Sequence, residues 1–125
     1  MNFKNNFFIV NDRIENFSRK VLIKNSFDIA TARAVSNPST VAEYIMPTLL
    51  EEGYGILYCG KWNNKDQVKL EKTLDALKGE IIEIKKKSLP KNRGTRNTIY
   101  IKPKGICPAA YPRDIGKAEK YPIID

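Results

Sequence analysis

Whatever chemistry this chain performs rests on arginine, lysine, carboxylate and amide groups, because it contains no histidine. That removes imidazole acid–base catalysis, Ser-His-Asp triads and most zinc sites. The two cysteines, Cys59 and Cys107, lie far apart in sequence, so no metal site is expected. A disulfide between them is allowed but not required; free buried thiols in a reducing compartment are the expectation. Arg33 follows the apolar run FDIATA. Its guanidinium is a rigid fork that can fix an anionic group, and the alternative is a local pair with Asp28. Glu15 can accept a hydrogen bond from a bound ligand, or from a backbone amide at a helix start. Lys61 ends another apolar run, where it can attract phosphate or simply stay solvated. Trp62 beside it can stack on a base or anchor a loop. No residue stands out as a general base, so the catalytic residue is left unassigned.

The charge is concentrated. The formal net charge of the 125 residues is +8. Basic and acidic residues nearly cancel from Met1 to Leu77 and again after Lys104. The excess lies in KGEIIEIKKKSLPKNRGTRNTIYIKPK. A basic cluster beside a folded core implies a polyanionic partner, and the alternative is a solubilising face. Length and a 42% hydrophobic content fit one domain with a real core. No run is apolar enough for a membrane span, and the N-terminus has no signal-peptide pattern, so a cytoplasmic location is expected.

The elements follow from pattern. Phe7-Phe8-Ile9-Val10 reads as a buried strand, and Ile14 to Leu22 as a helix or irregular crossover. Phe27 to Ala32 reads as a second strand. Pro38-Ser39-Thr40 starts a helix with Val41, Tyr44, Ile45, Leu49 and Leu50 on one face, which Pro47 caps, bends or ends. Gly53-Tyr54-Gly55 is expected to reverse the chain before a strand at Ile56 to Cys59. NNKDQVKLEKTLDALKG is the clearest helix, with Gly79 as its terminator. Two further strands flank SLPKNRGTR and suit an antiparallel pair. Short apolar strands divided by helices predict an α/β sheet covered on both sides. In such sheets ligands lie beyond the carboxyl ends of the strands. Neither a GxGxxG turn nor a GxxxxGK[ST] loop is present.

FDIATARAV, YIMPTLL, the Lys of CGKW, the LP and Arg-Asn before a strand, and YPRDIGKAEKYPI together closely resemble the GidB family of bacterial ribosomal RNA small-subunit methyltransferases. The resemblance implies a Rossmann-like class I methyltransferase fold. It also implies methyl transfer from S-adenosylmethionine to guanine N7 in 16S ribosomal RNA. On that likeness Ile14, Glu15 and Arg33 would line the cofactor site. Lys61, Lys87, Arg93, Arg96, Arg113 and Lys117 would face 16S RNA or the small ribosomal subunit. Ile14 stands where the family has Ala, and Trp62 where it has Gly or Ala.

The likeness is expected to involve only the C-terminal part of the family domain, truncated and lacking the N-terminal cofactor-loop half. A missing N-terminal segment is therefore expected, and activity of this chain is left open. The other readings are a noncatalytic RNA-binding remnant, or a fragment that needs its other half. Residues 1–104 would form the domain part, and 105–125 a basic tail packed on it. In that tail Tyr111-Pro112 and Tyr121-Pro122 suit a rigid clasp, with Arg113, Lys117 and Lys120 giving it a basic edge.

Overall fold

The computed structural model describes residues 6–33 and 37–123. Four strands form one mixed sheet in the order β1-β2-β4-β3. Strand β1 is Phe27–Arg33, β2 is Leu49–Cys59, β3 is Gly79–Ser88 and β4 is Thr95–Pro103. β1 and β2 run parallel, joined by a right-sized crossover through helix α2 (Pro38–Ile45) and a short 3-10 turn at Met46–Thr48. β4 is antiparallel to both β2 and β3, so the two last strands form the hairpin that their short linker predicts.

The helices begin where capping chemistry allows. In α2 the Asn37 carboxamide oxygen accepts from the Ser39 amide at 2.9 Å, and Pro38 occupies the first turn, where a missing N–H costs nothing. Helix α3 (Asn64–Ala76) opens with a reciprocal capping box. Asn63 Oδ1 accepts from the Asp66 amide at 3.0 Å, and Asp66 Oδ2 accepts from the Asn63 amide at 2.9 Å. Pro47 does not break α2 in mid-course. It lies in the 3-10 turn that passes the chain from α2 into β2.

The core lies between these helices and one sheet face. Val41, Ala42 and Ile45 from α2, and Leu70, Leu74 and Leu77 from α3 and its end, pack with Leu57, Cys59, Ile99 and Ile101. Alternate residues of β2 and β4 are buried, as strand geometry requires. The described helices therefore cover one face. The expected cover on both sides is corrected to that extent: Ile29 and Tyr58, on the other face, are exposed.

Two local expectations are corrected. Phe7–Val10 forms no strand; Phe8 and Ile9 are each 83% exposed. β-Favouring side chains do not suffice without a neighbouring strand to take the backbone hydrogen bonds. Gly53-Tyr54-Gly55 is not a reversal but the middle of β2. The pairing of β1 with β2 shifts register between Phe27 and Ile29, and Gly53 sits at that irregularity. A Cβ on Gly53 would lie 2.7 Å from the Asp28 carbonyl oxygen and 2.8 Å from that of Phe27. Glycine is there for close backbone approach. Gly53→Ala is expected to destabilise the fold by about 1–3 kcal/mol, the range for overpacking, read as a lower urea midpoint. An unchanged midpoint would show that β1 moves aside without cost.

Candidate functional site

A hollow of about 750 Å³ opens at the carboxyl ends of β1 and β2 and the start of β4. Arg33, Tyr58, Cys59, Gly60, Arg96, Asn97 and Thr98 line it. Register explains the grouping. Arg33 pairs with Tyr58 across β1 and β2, and Tyr58 and Cys59 pair with Thr98 and Asn97 across β2 and β4. Three strand ends thus bring two guanidiniums and two hydroxyls to the sheet face that the described helices leave open, while Asn97, paired with buried Cys59, alternates to the covered face. This is the end of an α/β sheet where ligands are held.

Arg33 is exposed and, among the described residues, has no side-chain hydrogen bond or ion pair. The local pair with Asp28 that the sequence allows is not formed. Arg96 is exposed on β4 opposite Lys87 of β3, and its Nη1 donates to the Thr95 carbonyl at 3.0 Å. Arg93 is exposed in the turn of the same hairpin, and Lys61 is exposed directly after Gly60. Cations at Lys61, Lys87, Arg93 and Arg96 therefore belong to the β2 end and the β3–β4 hairpin. Lys85 of that hairpin stands 5.4 Å from the centre of the Tyr100 ring. The Cys59 thiol is pushed up to about 11, by burial first and then by the Asp66 carboxylate, so it stays protonated and is no nucleophile at neutral pH. Both cysteines are free thiols. Trp62 packs against the core and its indole nitrogen is sealed without a partner, so it anchors a loop.

Ile14 and Glu15 stand apart from this hollow. Ile14 opens helix α1 (Ile14–Ser18) and lines a smaller hollow, about 270 Å³, with Phe8, Val10, Asp12 and Phe17. Glu15 is turned inward and buried. Its Oε2 accepts from Arg13 Nη2 at 2.9 Å and from the Gly116 amide at 2.8 Å. Burial would raise its pKa, but the Arg13 and Gly116 hydrogen bonds outweigh it and hold the carboxyl below the usual range. Glu15 therefore contributes stability above the unfolded-state pKa of about 4.3, and that contribution is lost as pH falls through the lower folded value. Glu15→Gln is expected to be less stable than the parent at neutral pH, with the gap closing in acid. Urea unfolding at about pH 7 and about pH 3 reads this; a gap that does not change with pH would contradict it.

The tail is fastened by the same kind of contact. Glu43 of α2 is buried, and its carboxylate takes Arg113 Nη2 at 2.7 Å, Arg113 Nε at 3.1 Å and the Arg113 amide at 2.9 Å. Arg113 Nη2 also donates to the Tyr121 carbonyl at 2.7 Å. Thr40 Oγ1 donates to the Ala118 carbonyl at 2.8 Å, and Thr73 Oγ1 to that of Ile123. Arg113 is therefore committed to the clasp. Lys117, on the short helix α4 (Lys117–Lys120), is exposed. Glu43 is the residue that reading the sequence misses; the signal is a carboxylate inside the apolar helix PSTVAEYI.

Among the described residues no cluster of three or more His, Cys, Asp or Glu could hold a metal ion. No described helix is long and apolar enough to cross a membrane.

Comparison with known proteins adds sequence kinship to this geometry. The model of the GidB family, described as rRNA small subunit methyltransferase G, matches residues 2–97. The ribosomal RNA small subunit methyltransferase G of Prochlorococcus marinus strain MIT 9515 is 67% identical over 98% of this chain and 52% of its own length. That of P. marinus subsp. pastoris CCMP1986 is 63% identical over 97% of this chain and 51% of its own. That of strain MIT 9312 is 58% identical over 98% of this chain and 52% of its own. The chain spans about half the length of these relatives. The expectation of a truncated, C-terminal likeness lacking the cofactor-loop half is corrected to this extent: the family model and the relatives align with nearly the whole of this chain. The kinship runs along nearly the whole chain, from residue 2 onward. Beside so long an alignment, the absence of one short glycine motif is a weak signal. It gives no ground for inferring truncation or for withholding the enzymatic reading.

Proposed function

Because the chain belongs to the GidB family, rRNA small subunit methyltransferase G, we propose that it takes part in S-adenosylmethionine-dependent methylation of guanine N7 in 16S ribosomal RNA. The observation that carries this reading is the hollow at the strand ends, where Arg33, Tyr58, Arg96 and Thr98 meet.

The residues present suit the cofactor. Arg33 offers an uncommitted guanidinium at the hollow, the fork that a methionine carboxylate takes. Ile14, with Phe8, Val10 and Phe17, lines a separate apolar hollow, so its part in holding the cofactor rests on the family likeness. Glu15 keeps both its hydrogen bonds within the protein, so its part is to hold the α1 start against Gly116. When bound, S-adenosylmethionine supplies an electrophilic methyl group on a sulfonium centre.

The protein's share of the chemistry is placement. Guanine N7 carries a lone pair and no proton, so attack from it needs no general base. The lack of histidine is then no obstacle. Catalysis rests on aligning N7 with the methyl carbon and sulfur, which can supply several kcal/mol of the barrier reduction. Lys61, Lys87, Arg93 and Arg96 bind RNA phosphates around the hollow, and Lys117 extends that surface along the tail. Such contacts set register and carry no base preference.

The test is methyl transfer from labelled S-adenosylmethionine to deproteinised small-subunit RNA and to intact small subunits. Label incorporated into 16S RNA supports the reading. A folded protein that binds the RNA in a salt-sensitive way yet transfers nothing would favour the noncatalytic RNA-binding reading instead.

A further inference from the structure

Strand alternation sorts the sheet into two faces. Gly55, Leu57 and Cys59 of β2 and Asn97, Ile99 and Ile101 of β4 are buried under the helices. Ile56 and Tyr58, with Arg96, Thr98 and Tyr100, therefore share the face that the described helices leave open. Register sets them in rows. Arg33 pairs with Tyr58, Tyr58 with Thr98 and Thr98 with Lys85, so one residue from each strand stands in a single row. Thr31, Ile56, Tyr100 and Glu83 make the next row, and Arg96 stands opposite Lys87 on the other side. Tyr58 and Tyr100 are thus diagonal neighbours across β2 and β4, about 7–8 Å apart. Tyr58 is 48% exposed and Tyr100 is half-buried. Lys85 holds its ammonium 5.4 Å from the centre of the Tyr100 ring, and its flexible stem lets it exchange that ring for a phosphate.

Two aromatic rings set among cations on an open sheet face suit one kind of partner. Lys85, Lys87 and Arg96 attract an anion, and the rings take the flat faces of bases. A lipid headgroup would use the cations alone, and an acidic protein brings carboxylates without a run of flat faces. A duplex keeps the faces of its bases within its own stack. We infer that the open sheet face binds unpaired RNA, with Tyr58 and Tyr100 stacking on bases while Lys85, Lys87 and Arg96 hold the flanking phosphates. The inference rests on the RNA reading proposed above, not on methyl transfer occurring. It deepens that reading in one respect: an unpaired guanine frees N7 from the deep, narrow major groove where it lies in double-stranded RNA.

The test measures binding of the full chain to a short fluorescent RNA of mixed sequence, single-stranded or annealed to its complement, over a range of salt. The single strand should bind more tightly than the duplex. Tyr58→Ala and Tyr100→Ala should each weaken single-strand binding about tenfold, the worth of one stacked base, and leave the salt slope unchanged. Tyr58→Phe, which keeps the ring, should bind like the parent. Lys87→Ala should instead reduce the slope of log affinity against log salt by about 0.7, as one lost phosphate contact does on a single strand. Where an alanine variant fails to fold, Tyr58→Val, ringless and β-favouring, takes its place. Duplex binding as tight as single-strand binding overturns the inference, as does parent affinity in the folded ringless variants. Equal losses in Tyr58→Phe and Tyr58→Ala also overturn it, because the ring would then not matter. Self-association of the chain that the alanine variants abolish, with RNA affinity unchanged, would make a second copy the occupant and overturn it too. Binding of neither RNA would remove both this inference and the RNA reading. Ring-independent RNA binding with methyl transfer intact would remove this inference alone; ring-dependent binding without methyl transfer would remove the enzymatic reading alone.

Discussion

Arg33→Ala is expected to lower methyl transfer about 100-fold, the order of loss that follows when a reacting group is misplaced by about 1 Å. Arg33 is exposed at the end of β1 and lines the hollow. Removing it takes away the fork proposed for the methionine carboxylate. The loss should appear as a raised KM for S-adenosylmethionine together with a lowered kcat, because a loosely held cofactor is also poorly aligned. Arg33→Lys should recover only part of it, since an ammonium cannot make the two parallel hydrogen bonds of a guanidinium. Fold stability should be unaffected, because Arg33 has no side-chain partner among the described residues. Steady-state kinetics beside a urea titration separate the outcomes. A variant with unchanged kinetics would place the cofactor elsewhere; one with a lower urea midpoint would make Arg33 structural.

Arg113→Ala is expected to cost about 3–5 kcal/mol of stability, the range for stranding a buried charge. The Glu43 side chain is 1% exposed, and Arg113 supplies three of its hydrogen bonds from the guanidinium and one from the backbone. Burial taxes both charges, so the intact pair is worth less than this loss suggests. Most of the penalty is the carboxylate left without its cation. The double variant Arg113→Ala with Glu43→Gln should therefore be more stable than Arg113→Ala alone, because a neutral amide is cheaper to bury. Chemical denaturation of the single and double variants measures that coupling. Simple additivity would show that the two groups do not act as a pair. The result bears on the tail as a whole: Arg113 also holds the Tyr121 carbonyl, so losing it should free the segment that Thr40 and Thr73 otherwise retain.

Much of the framework is legible in the residues because local and global preferences agree. Phe27 to Arg33 is β-favouring and becomes β1. Asn37-Pro38-Ser39 and Asn63 with Asp66 are capping chemistry, and α2 and α3 start there. The hairpin of β3 and β4 follows from alternating residues around a short polar linker. What local pattern cannot supply is partnership. Phe7–Val10 has the composition of a buried strand, yet a strand exists only where another offers hydrogen bonds. Gly53 and Gly55 read as a turn because glycine permits turns. The same lack of a side chain lets β2 pass close to β1 and to Ile45 and Ile101.

The candidate site divides along the same line. Arg33 and Lys61 are visible because charged residues after apolar runs mark strand ends, and Arg96 because it stands in a basic cluster before a strand. Glu15 and Arg113 look equally chemical in the sequence, but each also finds a partner far along the chain: Glu15, beside its neighbour Arg13, takes the Gly116 amide, and Arg113 takes Glu43. Nothing within a few residues announces the distant contacts.

The most direct test of the account is the chemical identity of the methylated product. The purified chain would be incubated with labelled S-adenosylmethionine and small-subunit RNA, the RNA digested to nucleosides, and the label located by chromatography. The account predicts that the label travels with 7-methylguanosine and that Arg33→Ala removes it. Label in any other nucleoside, or none at all from a folded protein on competent RNA, would contradict it.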